Sequence, residues 1–286
     1  MTGGCSVVVV TSGRRPSWLH RCMDALRAQA SPTDEILCVS LVPDPVLSAD
    51  ARVRFVHEPR HGVSLAKNVG WRLSTRPIVA FTDDDCVPSP RWIRTIEAAF
   101  LEGAEDGITG RVVPAGAGAW HASSPDTLEP RTFRSMTDVR WPWEPGAGNN
   151  MAFRRIVLDA LGGFDERLGP GSHFLSAEDL DLFLRLLTAR RSLVFHPEIQ
   201  VLHEPLRDSP AIEQSLHAYR FGLGALFAKF RQDLPAGVPE FLLERDGREF
   251  LRAVRRGDVP SALLRTRAMA SLLRGFRAWT ETQEGG

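Results

Sequence analysis

Long apolar runs are missing from the sequence, and so is an excess of charge of one sign. No uninterrupted apolar run approaches the roughly 20 residues that a membrane-spanning helix needs, and the N-terminus has no charged segment leading into an apolar core and a cleavage site. We therefore expect neither a transmembrane helix nor a signal peptide. The basic and acidic residues number 35 each, so bulk charge gives no indication of nucleic-acid binding.

Cysteine and lysine are also scarce. The four cysteines form no CxxC pair, and three of them lie in apolar runs where a free thiol behaves as a small hydrophobic group. They are Cys5, Cys22, Cys38 and Cys86. This usage favours a reducing cytoplasm. Lys67 and Lys229 are the only lysines among many arginines, which gives each of them added interest.

Strand-like and helix-like segments alternate along the first two hundred residues. Apolar or β-branched runs at 6–10, 35–42, 53–56, 77–81, 107–113 and 193–196 predict strands. Apolar residues at helical spacing predict helices from Pro16, Ser64 and Ser89, and over 155–161 and 176–187. This order predicts an α/β fold with a mostly parallel sheet, in which ligands bind beyond the carboxyl ends of the strands.

Two regions depart from the alternation. Residues 114–148 are rich in Gly, Pro, Ser and Trp without a clear period, which predicts a long loop that shapes a site. From Ser209 onward the pattern is helical and rich in arginine. These helices would pack on the α/β part as a lid, with peripheral membrane contact or dimerisation as the alternative.

Three adjacent carboxylates, Asp83, Asp84 and Asp85, follow the predicted strand at 77–81. They would not cap the next helix, because Ser89 and Pro90 already supply a favoured cap and first residue. In an extended segment, Asp83 and Asp85 project to the same side about 7 Å apart, close enough to share a cation. A solvated turn and a site for Mg²⁺ or Mn²⁺ with a phosphate ligand both remain open from the residues alone.

Several segments, in this order, resemble the family 2 glycosyltransferases. They are VVVVTSGRRP (7–16), HGVSLAKNVGW (61–71), FTDDDCVPSPRWI (81–93), GAGNNMAFRR (146–155), LGGFDERLG (161–169), SAEDLDLFLRL (176–186) and VFHPEIQVLHE (194–204). The resemblance implies a GT-A fold, which is Rossmann-like, with added C-terminal helices. It divides the chain into a catalytic domain at 1–205, with a nucleotide-sugar half at about 1–110 and an acceptor half at 111–205, and a helical extension at 206–286.

The resemblance also implies an activity, the metal-dependent and inverting transfer of a sugar from a nucleoside-diphosphate sugar to an acceptor hydroxyl. Asp85 would bind the divalent ion, Mg²⁺ or Mn²⁺, and His203 would complete the metal or pyrophosphate site. Asp83 would face the ribose or a water bound to the metal. Asp84 would orient hydroxyls of the donor sugar. A lone histidine is more often a structural residue, and His196 is interpreted as one.

The general base is expected in the segment 176–181. By the family pattern Asp179 would accept the proton of the acceptor hydroxyl, and Glu178 would bind acceptor or donor hydroxyls. Ser176 and Asp179 also have the spacing of a capping box, so a structural role is open as well. Asp181 would lie on another face of the helix.

The remaining candidates follow from the matching segments. Those expected at the donor or acceptor are Thr11, Arg14, Lys67, Asn68, Asn149, Asn150 and Trp143. For Lys67 and Asn68 a solvated helix face is the alternative, and for the two later asparagines a simple turn. Trp141 and Trp143 would form a platform for a sugar or cover the edge of the core.

One departure from the family affects the nucleotide. Many members end the second strand with two aspartates that hold the base and ribose, whereas this chain has Cys-Val-Ser-Leu-Val at 38–42. The resemblance therefore leaves the nucleotide unnamed. The acceptor would be a small molecule such as a natural product, with a lipid-linked or surface glycan as the alternative, and the location the cytoplasm or the inner face of a membrane.

Two other functions compete with sugar transfer. A nucleotidyltransferase would need a Gly-rich phosphate loop followed by lysine after the first strand, and Thr-Ser-Gly-Arg-Arg-Pro at 11–16 has one glycine and no lysine. In a protein that binds sugar nucleotides or carbohydrates, the acidic residues would bind metal without turnover.

Overall fold

A computed structural model describes residues 3–115, 127–204, 209–234 and 238–284. The first half contains β1 (Cys5–Thr11), α1 (Pro16–Arg27), β2 (Glu35–Ser40), α2 (Pro45–Ser48), β3 (Arg54–His57), α3 (Val63–Leu73), β4 (Ile78–Asp83), β5 (Cys86–Pro88), α4 (Trp92–Glu102) and β6 (Gly107–Pro114). The second half contains β7 (Arg131–Phe133), a 3₁₀ turn (Met136–Asp138), β8 (Asn150–Arg154), α5 (Arg155–Leu161), α6 (Glu178–Thr188), β9 (Leu193–His203), α7 (Ser209–Lys229), α8 (Val238–Arg255) and α9 (Val259–Glu284). The predicted α/β order is confirmed.

The strands form one sheet in the order β3-β2-β1-β4-β8-β6-β9-β5, with β7 paired to β9. The three longest ladders, β6 with β9 and β1 with both β2 and β4, are parallel. Antiparallel pairing enters where β8 joins β4 and β6, and where β5 and β7 join β9. The mostly parallel sheet predicted from the sequence is therefore present, with antiparallel strands in its second half.

Both faces of the sheet are buried, which explains the continuous apolar runs. Successive side chains of a strand point to opposite faces, and Val8 and Val10 accordingly pack in a different core from Val7 and Val9. The first core is shared with α5, α6 and α7, and the second with α1 and α4. All four cysteines are buried and free, as small core residues.

The C-terminal helices pack on the α/β part. Apolar residues of α7, of the position just after it and of α9 join the first core; they are Leu223, Leu226, Phe227, Phe230 and Leu272. Two glycines let α7 and α9 approach closely, because a Cβ on Gly224 would lie 1.9 Å from the carbonyl oxygen of Leu272, and one on Gly275 1.9 Å from that of Phe221. The packing predicted for these helices is confirmed. No helix of the described ranges has both the length and the apolar character to cross a membrane.

Two predicted helix starts are wrong. Helix α4 begins at Trp92, after Arg91 in the left-handed region with φ of 72°, and Ser89 and Pro90 lie before it. The residue before α6 is Ala177, also left-handed, so Ser176 and Asp179 form no capping box. Instead, the Ser176 hydroxyl donates to the carbonyl oxygen of Ala218 in α7 at 3.0 Å.

The predicted loop at 114–148 is only partly testable, since residues 116–126 lie outside the described ranges. The remainder contains the short strand β7, which pairs with β9, and the 3₁₀ turn. Strands β5 and β8 were also missed by the sequence analysis. Each is short, and each is held by a partner far away in the sequence.

Candidate active site

A cleft of about 770 Å³ opens beyond the carboxyl ends of β1 and β4. These strands are parallel neighbours, and Val10 pairs with Asp83. The residues that follow them in the chain, from Thr11 and from Asp84, therefore meet at one edge of the sheet. Eleven of the site residues predicted from the sequence line this cleft: Thr11, Arg14, Lys67, Asp83, Asp84, Asp85, Trp143, Asn149, Glu178, Asp179 and His203.

Asp84 is fixed by two neighbours. Its Oδ2 accepts a hydrogen bond from the Thr11 hydroxyl at 2.5 Å, and its Oδ1 accepts one from Arg15 Nη2 at 2.8 Å. The carboxylate is almost fully buried. Asp84 therefore ties the loop after β1 to the turn after β4, and the role predicted for it, orienting donor hydroxyls, has no support in these contacts.

Asp85 lies between two basic side chains. Arg15 Nη1 donates to its Oδ2 at 2.6 Å, and His203 Nε2 lies 3.5 Å from the same oxygen. The pairing of Cys86 with His203 between β5 and β9 sets this contact. Burial raises the pKa of Asp85, but His203 and Arg15 outweigh it and hold the pKa below its ordinary value. For His203 burial lowers the pKa, and Asp85 outweighs it and raises it.

Asp83 is the acid of the triplet with an unsatisfied oxygen. Its Oδ1 is buried without a hydrogen-bond partner among the described residues, as is Nδ1 of His203. Burial raises the pKa of Asp83 to about 6, although Lys67 acts in the opposite direction. Two oxygen donors and an imidazole nitrogen at one cleft wall, two of them lacking partners, fit a hard divalent cation.

Cys86 adds no ligand of that kind. Its Sγ, a carboxylate oxygen of Asp85 and a ring nitrogen of His203 lie within 4.8 Å of one another. Burial raises the pKa of the Cys86 thiol well above its usual range, however. Since a thiol must lose its proton to bind a metal, Asp85 and His203 are the candidate metal ligands of that group, while Asp83 lines the same cleft outside it.

A second acidic pair, Glu178 and Asp179, begins α6 and lines the same cleft. Lys67, which is 1% exposed, places Nζ 3.1 Å from Glu178 Oε1 and 3.5 Å from the carbonyl oxygen of Gly148. Burial lowers the pKa of Lys67, but Glu178, Asp83 and Asp179 outweigh it and raise the pKa above its ordinary value. The lysine therefore holds a positive charge among these acids.

Asp179 is oriented by backbone groups. Its Oδ2 accepts from the Gly148 N–H at 2.7 Å, and its Oδ1 accepts from the Leu180 N–H at 2.8 Å. Burial raises the pKa of Asp179 to about 6, with Glu178 adding to the shift and Lys67 opposing it. A carboxylate with a pKa near neutrality and lone pairs left for a hydroxyl is suited to general base catalysis.

Two predicted ligands are structural instead. Asn150 accepts from the indole N–H of Trp92 and donates to the carbonyl oxygens of Arg111 and Ile199, so its amide is fully used inside the protein. Asn68 is likewise used, since it donates to the carbonyl oxygen of Phe164 and to Glu166 and accepts from the Phe164 N–H. Neither lines the cleft. The predicted binding roles of Asn68 and Asn150 are therefore wrong.

Other interpretations agree with the structure. Asn149 lines the cleft, and its Oδ1 is buried without a partner among the described residues. Trp143 lines the cleft as well, with the guanidinium of Arg245 5.3 Å from the centre of its ring. Asp181 is fully buried and pairs with Arg185 at 2.8 Å and with Lys229 at 2.5 Å, away from the acidic pair, and His196 is not among the lining residues.

Several residues that line the cleft were not predicted from the sequence. Arg15, next to the predicted Arg14, makes the ion pairs with Asp84 and Asp85. Other missed residues come from the C-terminal helices: Leu216, Tyr219, Arg220, Leu223, Arg245 and Arg265. Arg15 could have been predicted because it adjoins Arg14 in the segment that resembles the family. The C-terminal residues belong to no recognisable motif.

Comparison with protein families gives a match to the model described as "Glycosyl transferase family 2" over residues 6–162, more than half of the chain. A glucosyl-dolichyl phosphate glucuronosyltransferase of Haloferax volcanii is 27% identical over 179 residues, which cover 57% of this chain and 54% of that protein. The succinoglycan biosynthesis protein ExoM of Rhizobium meliloti is 29% identical over 213 residues, which cover 73% and 64%. The chain thus spans less than two thirds of the length of these relatives.

Among solved structures, the mannosyltransferase PcManGT from Pyrobaculum calidifontis, in complex with GDP-Man and Mn²⁺, is similar in fold. The TM-score is 0.60 at 19% identity, and the superposition covers 98% of this chain and 84% of that one. This likeness shows the GT-A fold that the sequence predicts.

Proposed function

The chain belongs to glycosyl transferase family 2, and we propose that it transfers a sugar from a nucleoside-diphosphate sugar to an acceptor hydroxyl. One observation carries the proposal. The acids of the strand end and the acidic pair of α6 come from different elements and line the same cleft, so a donor diphosphate and a hydroxyl nucleophile have separate polar groups to meet. The name of the Haloferax volcanii relative as a glucuronosyltransferase, and the complex of PcManGT with GDP-Man and Mn²⁺, support this interpretation.

On the donor side, Asp83, Asp85 and His203 would hold a divalent ion, Mg²⁺ or Mn²⁺. When bound, such an ion offsets the charge that develops on the leaving diphosphate. Arg15, which already lies against Asp85 at 2.6 Å, brings a fixed positive charge to the same wall. Thr11 and Asp84 keep that arginine in place, and Arg14 and Asn149 contribute further polar groups to the cleft.

On the acceptor side, Asp179 would act as the general base. The acceptor hydroxyl gives its proton to Asp179, its oxygen forms a bond to the anomeric carbon, and the bond from that carbon to the diphosphate oxygen breaks on the opposite side. This single displacement inverts the anomeric configuration. Gly148 and Leu180 hold the carboxylate in position, while Lys67 donates a hydrogen bond to Glu178, which would bind a sugar hydroxyl beside it.

The organisation of the chain follows from the same reading. We propose that residues 1–205 form the catalytic domain and that the helices after it complete the acceptor side of the cleft, where Trp143 offers a platform for a sugar. Natural products, lipid-linked glycans and surface glycans are the acceptor classes that the test below distinguishes.

Three variants test the proposal. Thermal stability is measured with a panel of nucleoside diphosphates, with and without Mn²⁺, because a ligand bound to the folded state raises its melting temperature. We expect the melting temperature to rise only when a nucleoside diphosphate and Mn²⁺ are both present. This rise should occur in the parent protein, in Asp179→Asn and in the control Asp24→Asn, in which the replaced side chain is 74% exposed on α1. Asp85→Asn should lose this rise.

Turnover is then measured as release of the nucleoside diphosphate from the identified donor in the presence of each acceptor class. Asp179→Asn should lower the rate by about 10²- to 10⁴-fold, the usual contribution of a general base. Full activity of Asp179→Asn would remove the base assignment. Donor binding in the parent protein without turnover on any acceptor would instead indicate a binding protein.

A further inference from the structure

Three arginines from the C-terminal helices surround one carboxylate at the wall of the cleft. Arg220 Nη2 donates to Asp246 Oδ1 at 2.9 Å. Arg245 and Arg265 approach the same oxygen at 3.8 and 3.9 Å. All three arginines line the cleft, so α7, α8 and α9 each bring one guanidinium to the same place.

The positive charge of this group exceeds the negative charge. Among the described residues, Asp246 is the only carboxylate that forms an ion pair with these arginines, which leaves two positive charges uncompensated. Arg220 is 6% exposed, and its Nε is buried without a hydrogen-bond partner in the described part of the chain. Burial lowers the pKa of Arg220; Asp246 opposes that shift, and the repulsion from Arg245 adds to it. A buried, unsatisfied donor in a cationic pocket favours an anionic ligand.

The arginine group lies beside the acceptor-side acids. The Ser176 hydroxyl, close to the start of α6, bonds to the carbonyl oxygen of Ala218 in α7, two residues before Arg220. Arg245 lies over the ring of Trp143, the proposed sugar platform. The donor wall is formed by other elements, β1, β4 and β9, and carries its own arginine. The group is thus placed to meet the acceptor.

We propose that Arg220, Arg245 and Arg265 bind a phosphoryl group carried by the acceptor. The inference rests on the proposed function and names its acceptor class. A phosphate monoester carries a charge close to the two that are uncompensated here, whereas a carboxylate carries one. Guanidinium groups also present paired N–H donors that match phosphate oxygens. The phosphoryl group belongs either to a lipid phosphate or to a water-soluble sugar phosphate.

The test uses inorganic phosphate as the probe, measured by calorimetric titration on the full chain in the absence of divalent ions. Arg220 is left intact because its side chain is buried with Asp246. The double variant Arg245→Gln/Arg265→Gln removes the half-exposed pair. The matched control Arg248→Gln/Arg267→Gln removes two arginines from the same helices whose side chains are 51% and 61% exposed. We expect phosphate affinity to fall about tenfold or more in the first variant and to stay unchanged in the control.

Donor binding separates this inference from the proposed function. The binding of a nucleoside diphosphate with Mn²⁺ should be equal in both variants and the parent protein. Equal phosphate affinity in the two double variants would overturn the inference. Parallel losses of phosphate and nucleoside diphosphate binding in Arg245→Gln/Arg265→Gln would overturn it as well, because these arginines would then bind the donor. Retained phosphate binding at this group without any nucleoside diphosphate binding would contradict the proposed function alone.

Competition against the phosphate probe identifies the source of the group. A polyprenyl phosphate in detergent micelles and glucose 1-phosphate are added separately to the parent protein. Displacement by the first supports a lipid acceptor and displacement by the second a soluble one, while displacement by neither overturns the inference.

Discussion

Removal of Lys67 should destabilise the protein strongly. The Lys67 side chain is 1% exposed and that of Glu178 is 9% exposed, and their charged atoms lie 3.1 Å apart. Lys67→Met keeps the length of the side chain but leaves the Glu178 carboxylate buried without its partner. Breaking a buried ion pair from one side costs about 3–5 kcal/mol, so we expect the free energy of unfolding to fall by about that amount.

An exposed ion pair provides the matched control. Arg60 pairs with Glu58 at 2.8 Å, but its side chain is 67% exposed. Solvent screens such a pair, and Arg60→Gln should lower the free energy of unfolding far less than Lys67→Met does. The free energies come from urea denaturation followed by circular dichroism and extrapolated to water.

A double variant identifies the cause of the loss. In Lys67→Met/Glu178→Gln the uncompensated charge is gone, so stability should recover part of what Lys67→Met loses. A loss of unfolding free energy in Lys67→Met no larger than that in Arg60→Gln would refute a buried ion pair as the cause. So would a double variant whose loss equals the sum of the losses of Lys67→Met and Glu178→Gln.

Two further predictions concern the base. The pKa of Asp179 is raised to about 6, and only the ionised carboxylate accepts a proton. The transfer rate at saturating donor should therefore be constant above about pH 7 and should fall about tenfold per pH unit below about pH 6. A rate that does not change down to about pH 4.5 would contradict the assignment of Asp179 as the base. Gly148→Ala should reduce the transfer rate about tenfold or more while donor binding is kept, because the new Cβ would lie 2.8 Å from Asp179 Cβ. Gly247→Ala in α8, where a Cβ meets no atom within 4 Å, should leave the rate unchanged and raise stability slightly.

The residues of the cleft were predicted from two kinds of sequence feature. Asp83 and Asp85 were found because apolar periodicity reveals the carboxyl end of a strand, whereas Thr11 came from a segment that resembles the family. The pairing of β1 with β4 then brings these residues together. His203 and Asp179 came from segments that resemble the family. The helix starts proposed at Ser89 and at Ser176 failed, since Arg91 and Ala177 adopt left-handed conformations that no local preference indicates.

The asparagines show why side-chain roles were harder. Asn149 and Asn150 are adjacent and chemically identical. Asn149 lines the cleft, whereas Asn150 forms hydrogen bonds with Trp92 and two backbone carbonyl oxygens. Their opposite orientations follow from the first residue of β8 facing inward, and β8 forms only through pairing with β4 and β6. Long-range pairing of this kind leaves no periodic signal in a strand of five residues.

The sequence by itself determined the alternation of strands and helices, the buried parallel half of the sheet and the edge at which the acids lie, because these depend on periodicity and on neighbours in the chain. Only the tertiary structure decided which polar groups share the cleft. Lys67 meets Glu178 across 111 residues, Asn150 meets Trp92 across 58, and Arg220 meets Asp246 across 26. Such contacts arise when whole helices pack to bury apolar faces, and the polar groups that they bring together follow from that packing rather than from any local pattern.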